Sequence, residues 1–155
     1  MILSYTKINK MTYVYIAGPL FTEGERRILE DIDKFFQQVN FRTYLPHRDA
    51  GLFTREGDSS RRFFNNDLEK LQEADFIIAV LNGVDVDSGT SWEIGYAFAH
   101  KKPVIGYVKD TRVYDPKTQF NPMIWNSLAH LVNNLEELKE ILLTKRNETN
   151  DRKIK

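Results

Sequence analysis

The sequence has 155 residues, with 22 Lys and Arg against 22 Asp and Glu, a length that suits one compact domain and a balance that gives no basic field to attract nucleic acid. It contains no cysteine, which excludes disulfides, cysteine-ligated zinc, iron–sulfur clusters and thiol catalysis. No apolar run approaches the roughly 20 residues that cross a bilayer, and residues 1–11 lack the apolar core of a secretion signal. We therefore expect a cytoplasmic protein that binds neither membranes nor nucleic acid.

The first part of the chain predicts two short strands separated by a helix. Tyr13–Ala17 is apolar and rich in β-forming residues, and Gly18 ends it. From Thr22 to Val39 the apolar residues recur at three- and four-residue spacing, which is typical of one face of a helix. Phe41–Leu45 predicts a second strand, which stops at Pro46.

The middle of the chain predicts a loop, two helices and a buried strand. Residues 47–60 are rich in charge, Gly and Ser, which indicates a loop, and a helix follows over about 60–73. Phe76–Leu81 is a continuous apolar run, as expected for a strand covered on both faces. A short loop then leads to Thr90–His100, a predicted helix for which Thr90 can act as the N-cap.

The last part of the chain predicts two more strands and a closing helix. Pro103–Val108 is a further buried strand, and residues 121–127 form a short helix. Ala129–Val132 is a weaker strand, and Leu135–Leu143 is the final helix. Residues 145–155 are nearly all polar and predict a frayed tail.

Strands that alternate with helices predict a mostly parallel sheet with helices on both faces. Five strands fit a single doubly wound, flavodoxin-like α/β domain over residues 12–144, between an N-terminal extension (1–11) and a polar tail (145–155). Ligands of such sheets bind beyond the carboxyl ends of the strands, at the switch in strand order. Three segments should meet there: Ala17–Phe21, Leu45–Leu52 and Asn82–Glu93.

Acidic side chains mark the last of these segments. Asp87 and Glu93 flank Gly89, which lets the backbone approach a ligand closely. With Thr90 as the cap, Glu93 falls in the first helical turn, where the helix dipole favours an ionised carboxylate. Taken alone, the two acids have a plainer interpretation as a loop cap and a helix-stabilising residue. Asp67, in the preceding helix, is likewise interpreted most simply as an exposed acid.

Other kinds of site find no support in the sequence. Gly18 opens no phosphate loop, because neither GxGxxG nor GK[ST] follows it. Ser91 lacks the GxSxG context of a hydrolase nucleophile. The histidines show no metal-binding spacing; they are His47, His100 and His130. We therefore expect neither a metal nor a cofactor.

Taken in their order along the chain, these segments resemble the nucleoside 2-deoxyribosyltransferase family over roughly Tyr13 to Val132. The most specific element is the aspartate six residues before the glutamate in Asp87-Ser-Gly-Thr-Ser-Trp-Glu93, with a glycine two residues after that aspartate. The remaining matching elements are Tyr15-Ile-Ala-Gly-Pro-Leu-Phe21, Asn65-Asn-Asp-Leu68, Ala74-Asp75 and Asn121-Pro-Met123.

The resemblance implies a role for each matching residue. Glu93 matches the family nucleophile, which attacks the anomeric carbon, and Tyr15 matches the tyrosine that holds it in place. Asp67 and Asp87 match acids that bind the nucleoside and assist its proton transfers, with Asp67 the first candidate for the general acid and Asp87 the second. Further substrate contacts are expected in the segments after the first three strands: Gly18, Phe21, Arg48, Asp49 and Gly89.

The resemblance also implies assembly. Asn121 and Met123 match residues that a neighbouring subunit contributes near the 5' end of the sugar. The family forms hexamers or smaller assemblies of the same dimer, so we expect a homo-oligomer. The charged C-terminus differs from the aromatic segment that ends the best-known members.

The implied activity is transfer of 2-deoxyribose between nucleobases, through a covalent ester on Glu93 and with retention of the β-anomer. The partners would be deoxynucleosides and free nucleobases, and water reaching the intermediate would cause side hydrolysis. One alternative is a 2'-deoxynucleoside 5'-monophosphate N-hydrolase, which shares the fold and the glutamate, although Asp87 should repel a 5'-phosphate. Another is a non-catalytic nucleotide-sensing module, which would not need the acids.

Overall fold

The sheet has the predicted flavodoxin-like order. The computed structural model describes residues 11–52, 59–109 and 120–152, and in them five strands pair in the order β2-β1-β3-β4-β5. All four pairings are parallel, so the sheet is wholly rather than mostly parallel. The strands are β1 (Tyr13–Ala17), β2 (Arg42–Tyr44), β3 (Phe76–Val80), β4 (Val104–Tyr107) and β5 (His130–Val132).

Helices connect the strands and cover the sheet. No helix in the described ranges is long and apolar enough to span a membrane. Most of the predicted N-terminal extension, part of the loop after β2 and the last three residues of the predicted tail lie outside the described residues. The helices are α1 (Glu23–Gln38), α2 (Pro46–Asp49), α3 (Ser60–Glu73), α4 (Ser88–Ala99), α5 (Pro122–Trp125) and α6 (Leu135–Arg152).

Two predicted boundaries are wrong for local reasons. The predicted loop after β2 begins with the helical turn α2, because Pro46 presets the backbone at the first helical position and Asp49 Oδ2 accepts the N–H of Leu45 at 2.9 Å. The last helix does not end near Leu143 but continues to Arg152. Residues 144–152 include no Gly or Pro, the two residue types that most strongly disfavour a helix, so neither interrupts the helix there.

The start of α4 also differs from the prediction, and this difference moves Glu93. The N-cap is Asp87, whose Oδ2 accepts the N–H of Thr90 at 2.9 Å and its hydroxyl at 3.1 Å. Thr90 is thus a buried residue inside the helix, and Glu93 lies in the second turn. Because the dipole acts mainly within the first turn, the prediction that it keeps Glu93 ionised is wrong.

The alternation of side chains in β1 divides the core into two layers. Val14 and Ile16 face the side covered by α1 and α6, where they pack with Leu29 and Leu138. Tyr15 and its alternate neighbours face the opposite layer, which contains residues of α3 and α4. Since the side-chain period of a strand is two, this register turns the Tyr15 hydroxyl toward the helices that carry the acids.

Candidate active site

A cleft of about 270 Å³ lies at the predicted switch point, beyond the carboxyl ends of β1, β2 and β3. Three carboxylates line it, Asp67 from α3 and Asp87 and Glu93 from α4 and its cap. Its other walls are mostly apolar or glycine, which favours tight enclosure of a small organic ligand. These walls include Gly18, Leu20, Phe21, Pro46, Leu52 and Gly89.

Glu93 is held by a buried tyrosine. The hydroxyl of Tyr15, which is fully buried, donates a hydrogen bond to Glu93 Oε1 at 2.5 Å. Oε2 makes no hydrogen bond to any residue in the described ranges, so one oxygen is fixed and the other is left for a ligand. This is the arrangement a nucleophilic carboxylate needs, because the attacking atom must be both oriented and unoccupied.

The surroundings of Glu93 disfavour its charge. Burial raises the pKa of Glu93 to about 8, the Tyr15 hydrogen bond opposes this rise, and the negative charges of Asp67 and Asp87 add to it. At pH 7 the carboxylate is therefore the minor form of this side chain. A raised pKa of this kind is common at functional sites, where it puts a group close to the working pH.

A second pair of a tyrosine and a carboxylate lies beside the first. Tyr44, which is paired with Tyr15 in the β1–β2 register, donates its hydroxyl to Asp67 Oδ1 at 2.7 Å. The ring centroids of the two tyrosines are 5.2 Å apart. Burial raises the pKa of Asp67, and the Tyr44 hydrogen bond acts against that rise. A carboxyl group that stays protonated above its ordinary range is suited to general acid catalysis.

Asp87 has one oxygen engaged in capping and one available. Both of its hydrogen bonds use Oδ2, and Oδ1 bonds to no side chain or backbone group of the described residues. Gly89 fits closely against this cap, since an added Cβ would lie 3.2 Å from Asp87 Oδ2. Packing also explains the glycine at position 18, because a Cβ there would lie only 3.0 Å from the side chains of Leu29 and Val80.

Glu93 and Asp67 are also accessible from a side lined by aromatic residues, which no sequence motif indicates. A second cleft of about 270 Å³ shares both acids with the first. Phe64 and Trp92 line it, are about half exposed, and pack edge to face with centroids 5.6 Å apart. Flat apolar rings next to the acids offer a surface on which a planar base or a partner side chain can pack.

Arg48 and Asp49 do not line either cleft. Arg48 Nε and Nη2 donate to Asp49 at 2.7 Å, and Nη1 donates to Asp33 at 2.5 Å. The helical turn α2 thus pairs these two residues with each other and with α1, and Pro46 reaches the cleft instead. A contact from Arg48 or Asp49 to a base remains a prediction.

Asn121 and Met123 do not line either of these two clefts of their own chain. Asn121 caps α5, and its Oδ1 accepts the N–H of Met123 at 2.9 Å. The side chain of Met123 is 77% exposed. The expectation that a neighbouring subunit receives Asn121 and Met123 stays a prediction.

Most of the chain matches a known protein family. Residues 14–147 match the family model described as nucleoside 2-deoxyribosyltransferase. A Thermofilum pendens protein with the provisional name 2'-deoxynucleoside 5'-phosphate N-hydrolase 1 is 28% identical over 118 residues, which are 74% of this chain and 80% of that protein.

Two solved structures share the fold. The structure of a conserved protein from Enterococcus faecalis has a TM-score of 0.73 at 24% identity, and covers 87% of this chain and 99% of its own. The 2-deoxyribosyltransferase of Bacillus psychrosaccharolyticus has a TM-score of 0.68 at 23% identity, and covers 82% of this chain and 90% of its own. Because the family match extends over most of the sequence, the chain belongs to the nucleoside 2-deoxyribosyltransferase family, a group of enzymes that act on N-glycosidic bonds.

Proposed function

We propose that this protein transfers 2-deoxyribose between nucleobases through a covalent deoxyribosyl ester on Glu93, with retention of the β configuration. The observation that carries the proposal is the Tyr15–Glu93 hydrogen bond in a cleft that Asp67 also lines. Nucleophile, holding group and acid are thereby close to one another, as a two-step displacement requires.

In the first step Glu93 Oε2 bonds to the anomeric carbon while the bond from that carbon to the base nitrogen breaks. The electron pair of the broken bond leaves with the base, and Asp67 supplies the proton that neutralises it. In the second step an incoming base attacks the anomeric carbon, the ester bond breaks and Asp67 takes the proton back. Two inversions retain the configuration, and water in place of the second base gives hydrolysis.

The charge of the cleft favours nucleosides over nucleotides. Its described lining includes three acidic side chains and no basic one, whereas a 5'-phosphate calls for basic or hydrogen-bond-donating groups. Asp87 Oδ1 can accept a hydrogen bond from a free 5'-hydroxyl, but it would repel a phosphate dianion. The second candidate, hydrolysis of 2'-deoxynucleoside 5'-phosphates, is favoured by the name of the Thermofilum pendens relative.

Assembly is part of the proposal. The exposed Met123 and its neighbour Asn121 would act in the active site of an adjacent subunit, near the 5' end of the sugar. Supporting observations are the exposure of Met123 and of the rings of Phe64 and Trp92. Exposed apolar patches often mark interfaces between subunits.

One incubation series tests the function. The protein is mixed with deoxyinosine and free adenine, and deoxyadenosine is measured by chromatography. Parallel reactions omit adenine, to measure hydrolysis, or replace deoxyinosine by its 5'-monophosphate. Formation of deoxyadenosine supports the transferase. Release of hypoxanthine from the monophosphate alone would establish the hydrolase instead, and binding without turnover of either donor would favour a sensing module.

A further inference from the structure

We propose that Tyr44 is a positioning residue for the general acid: its hydroxyl holds Oδ1 of Asp67, so that Oδ2 is the oxygen that delivers the proton to the departing base. The inference rests on the proposed function of the cleft, because it assigns a partner to the acid of that reaction. It extends that function to a residue outside the matching motifs.

The hydrogen-bond geometry of Asp67 carries the inference. Tyr44 is 5% exposed, and its hydroxyl donates to Oδ1 at 2.7 Å. Oδ2 bonds to no residue in the described parts of the chain, and Asp67 lines both clefts. A carboxyl oxygen that already accepts a phenolic proton is the less favourable place for the acid proton. The proton of the neutral acid therefore rests on Oδ2, the oxygen without a protein partner.

The sheet explains why Tyr44 can do this reliably. Its strand β2 pairs with β1 so that Tyr44 and Tyr15 are neighbours in register, and the two rings pack at 5.2 Å. The Tyr15 hydroxyl donates its hydrogen bond to Glu93, and the Tyr44 hydroxyl donates its own to Asp67. Two adjacent strands thus hold the nucleophile and the acid with the same chemical group, and neither tyrosine can exchange its partner without moving a buried ring.

Several other ionisable groups face this pair. Tyr44 is influenced by Asp67 from α3, Asp49 from α2 and Tyr13 from β1. Asp67 is also coupled through its charge to Tyr15 and Glu93. A change in pH dependence must therefore be assigned to Asp67 directly, by observing its own carboxyl group, and not from the rate profile alone.

The kinetic test compares Tyr44→Phe with the matched control Tyr13→Phe, which removes a hydroxyl from the same sheet at the other end of β1. The donors are deoxyguanosine and deoxyuridine, each set against a donor with a better leaving group: N7-methyldeoxyguanosine, whose base departs as a neutral molecule, and 5-fluorodeoxyuridine, whose base departs as a less basic anion. We expect Tyr44→Phe to lower kcat about tenfold to a hundredfold for the unactivated donors, with KM nearly unchanged. The loss should be smaller for 5-fluorodeoxyuridine and should shrink to less than about threefold for N7-methyldeoxyguanosine, whose departing base needs no proton. Tyr13→Phe should resemble wild type with every donor.

Two further measurements complete the test. In an Asp67→Asn background, Tyr44→Phe should cause no additional loss, because its effect passes through Asp67. Carbon-13 NMR of the Asp67 carboxyl should show titration at higher pH in Tyr44→Phe than in wild type, since a hydrogen bond that favours the ionised form is lost.

The outcomes separate this inference from the proposed function. Equal losses with activated and unactivated donors, or an unchanged Asp67 titration in Tyr44→Phe, would overturn the positioning role even in an active enzyme. A wild-type protein that cleaves none of the donors would refute the proposed function and the kinetic role together, and the NMR comparison would still report whether Tyr44 controls Asp67.

Discussion

The hydroxyl of Tyr15 lies 2.5 Å from Oε1 of Glu93, and this contact joins the central part of the sheet to the second turn of α4. Its hydrogen bond favours the carboxylate, whereas burial and two neighbouring acids favour the neutral form. The reactivity of Glu93 therefore depends on two opposing effects. The hydrogen bond from Tyr15 favours the carboxylate, and burial together with the nearby acids disfavours it.

Removing that donor should shift the pH dependence of the reaction. Glu93 must be ionised to attack, so kcat/KM of the wild type should rise with pH toward about 8. Tyr15→Phe removes a stabiliser of the carboxylate, which raises the pKa of Glu93 further and moves the rising limb to higher pH. Activity at pH 7 should fall, while Tyr13→Phe keeps the wild-type profile. If the rising limb of the kcat/KM profile lies at the same pH in Tyr15→Phe as in wild type, ionisation of Glu93 does not control that limb.

The same carboxyl group should make folding stability depend on pH. Its pKa is about 8 in the folded protein against an ordinary value of 4.5, so the folded state holds the proton more strongly. The resulting stabilisation is complete below about pH 4.5 and is lost as pH rises through 8.

Comparison with Glu93→Gln isolates this effect, because glutamine does not titrate. Its free energy of unfolding relative to wild type should increase by on the order of 3 kcal/mol between pH 5 and pH 9, as measured by urea denaturation. A difference that does not change with pH would mean that the Glu93 carboxyl has an ordinary pKa in the folded protein.

Asp87 should set the discrimination against 5'-phosphates. Asp87→Asn removes the charge but keeps an acceptor for the N–H of Thr90, so the cap of α4 survives. We expect the preference for deoxyadenosine over its 5'-monophosphate to weaken by on the order of 1–4 kcal/mol in transition-state binding. The control is Asp85→Asn, an exposed residue of the same loop that does not line the cleft. An unchanged ratio of kcat/KM values in Asp87→Asn would place Asp87 away from the 5' group.

Shared active sites can be tested by mixing two inactive variants. Glu93→Ala and Asn121→Ala subunits are combined after mild dissociation and reassembly. If Asn121 acts in a neighbour's site, some mixed sites contain both wild-type residues and activity returns. No recovery despite confirmed subunit exchange would mean that each chain builds its own site. A monomeric mass by light scattering at micromolar concentration would also reject the idea.

Much of the fold is readable from the sequence, because its strands are short apolar runs bounded by glycine, proline or polar residues. Tyr13–Ala17 is the clearest case, since its predicted and observed bounds are the same. The start of α4 was less readable. Asp87 and Thr90 are both good capping residues, and only the folded backbone shows that Asp87 accepts the N–H of Thr90.

The candidate site was predictable only where a motif marks it. Asp67, Asp87 and Glu93 line one cleft. Tyr44 belongs to no motif, because its place beside Tyr15 comes from the strand register. The sequence predicts that Arg48 contacts the base because it follows β2, and that contact stays a prediction; the pairing of Arg48 with Asp49 and Asp33 was not predicted. Such pairing depends on the three-dimensional path of the chain and has no signature in the sequence.

The most direct test of the central claim is to capture the covalent intermediate. Wild-type protein is incubated with a deoxynucleoside donor without acceptor base, quenched in acid, and analysed by intact mass and peptide sequencing. We predict a mass increase of one deoxyribosyl group on the peptide that contains Glu93, and no adduct in Glu93→Gln at equal donor concentration. An active wild type whose adduct lies on another residue, or an adduct that persists in Glu93→Gln, would contradict the assignment of Glu93 as the nucleophile.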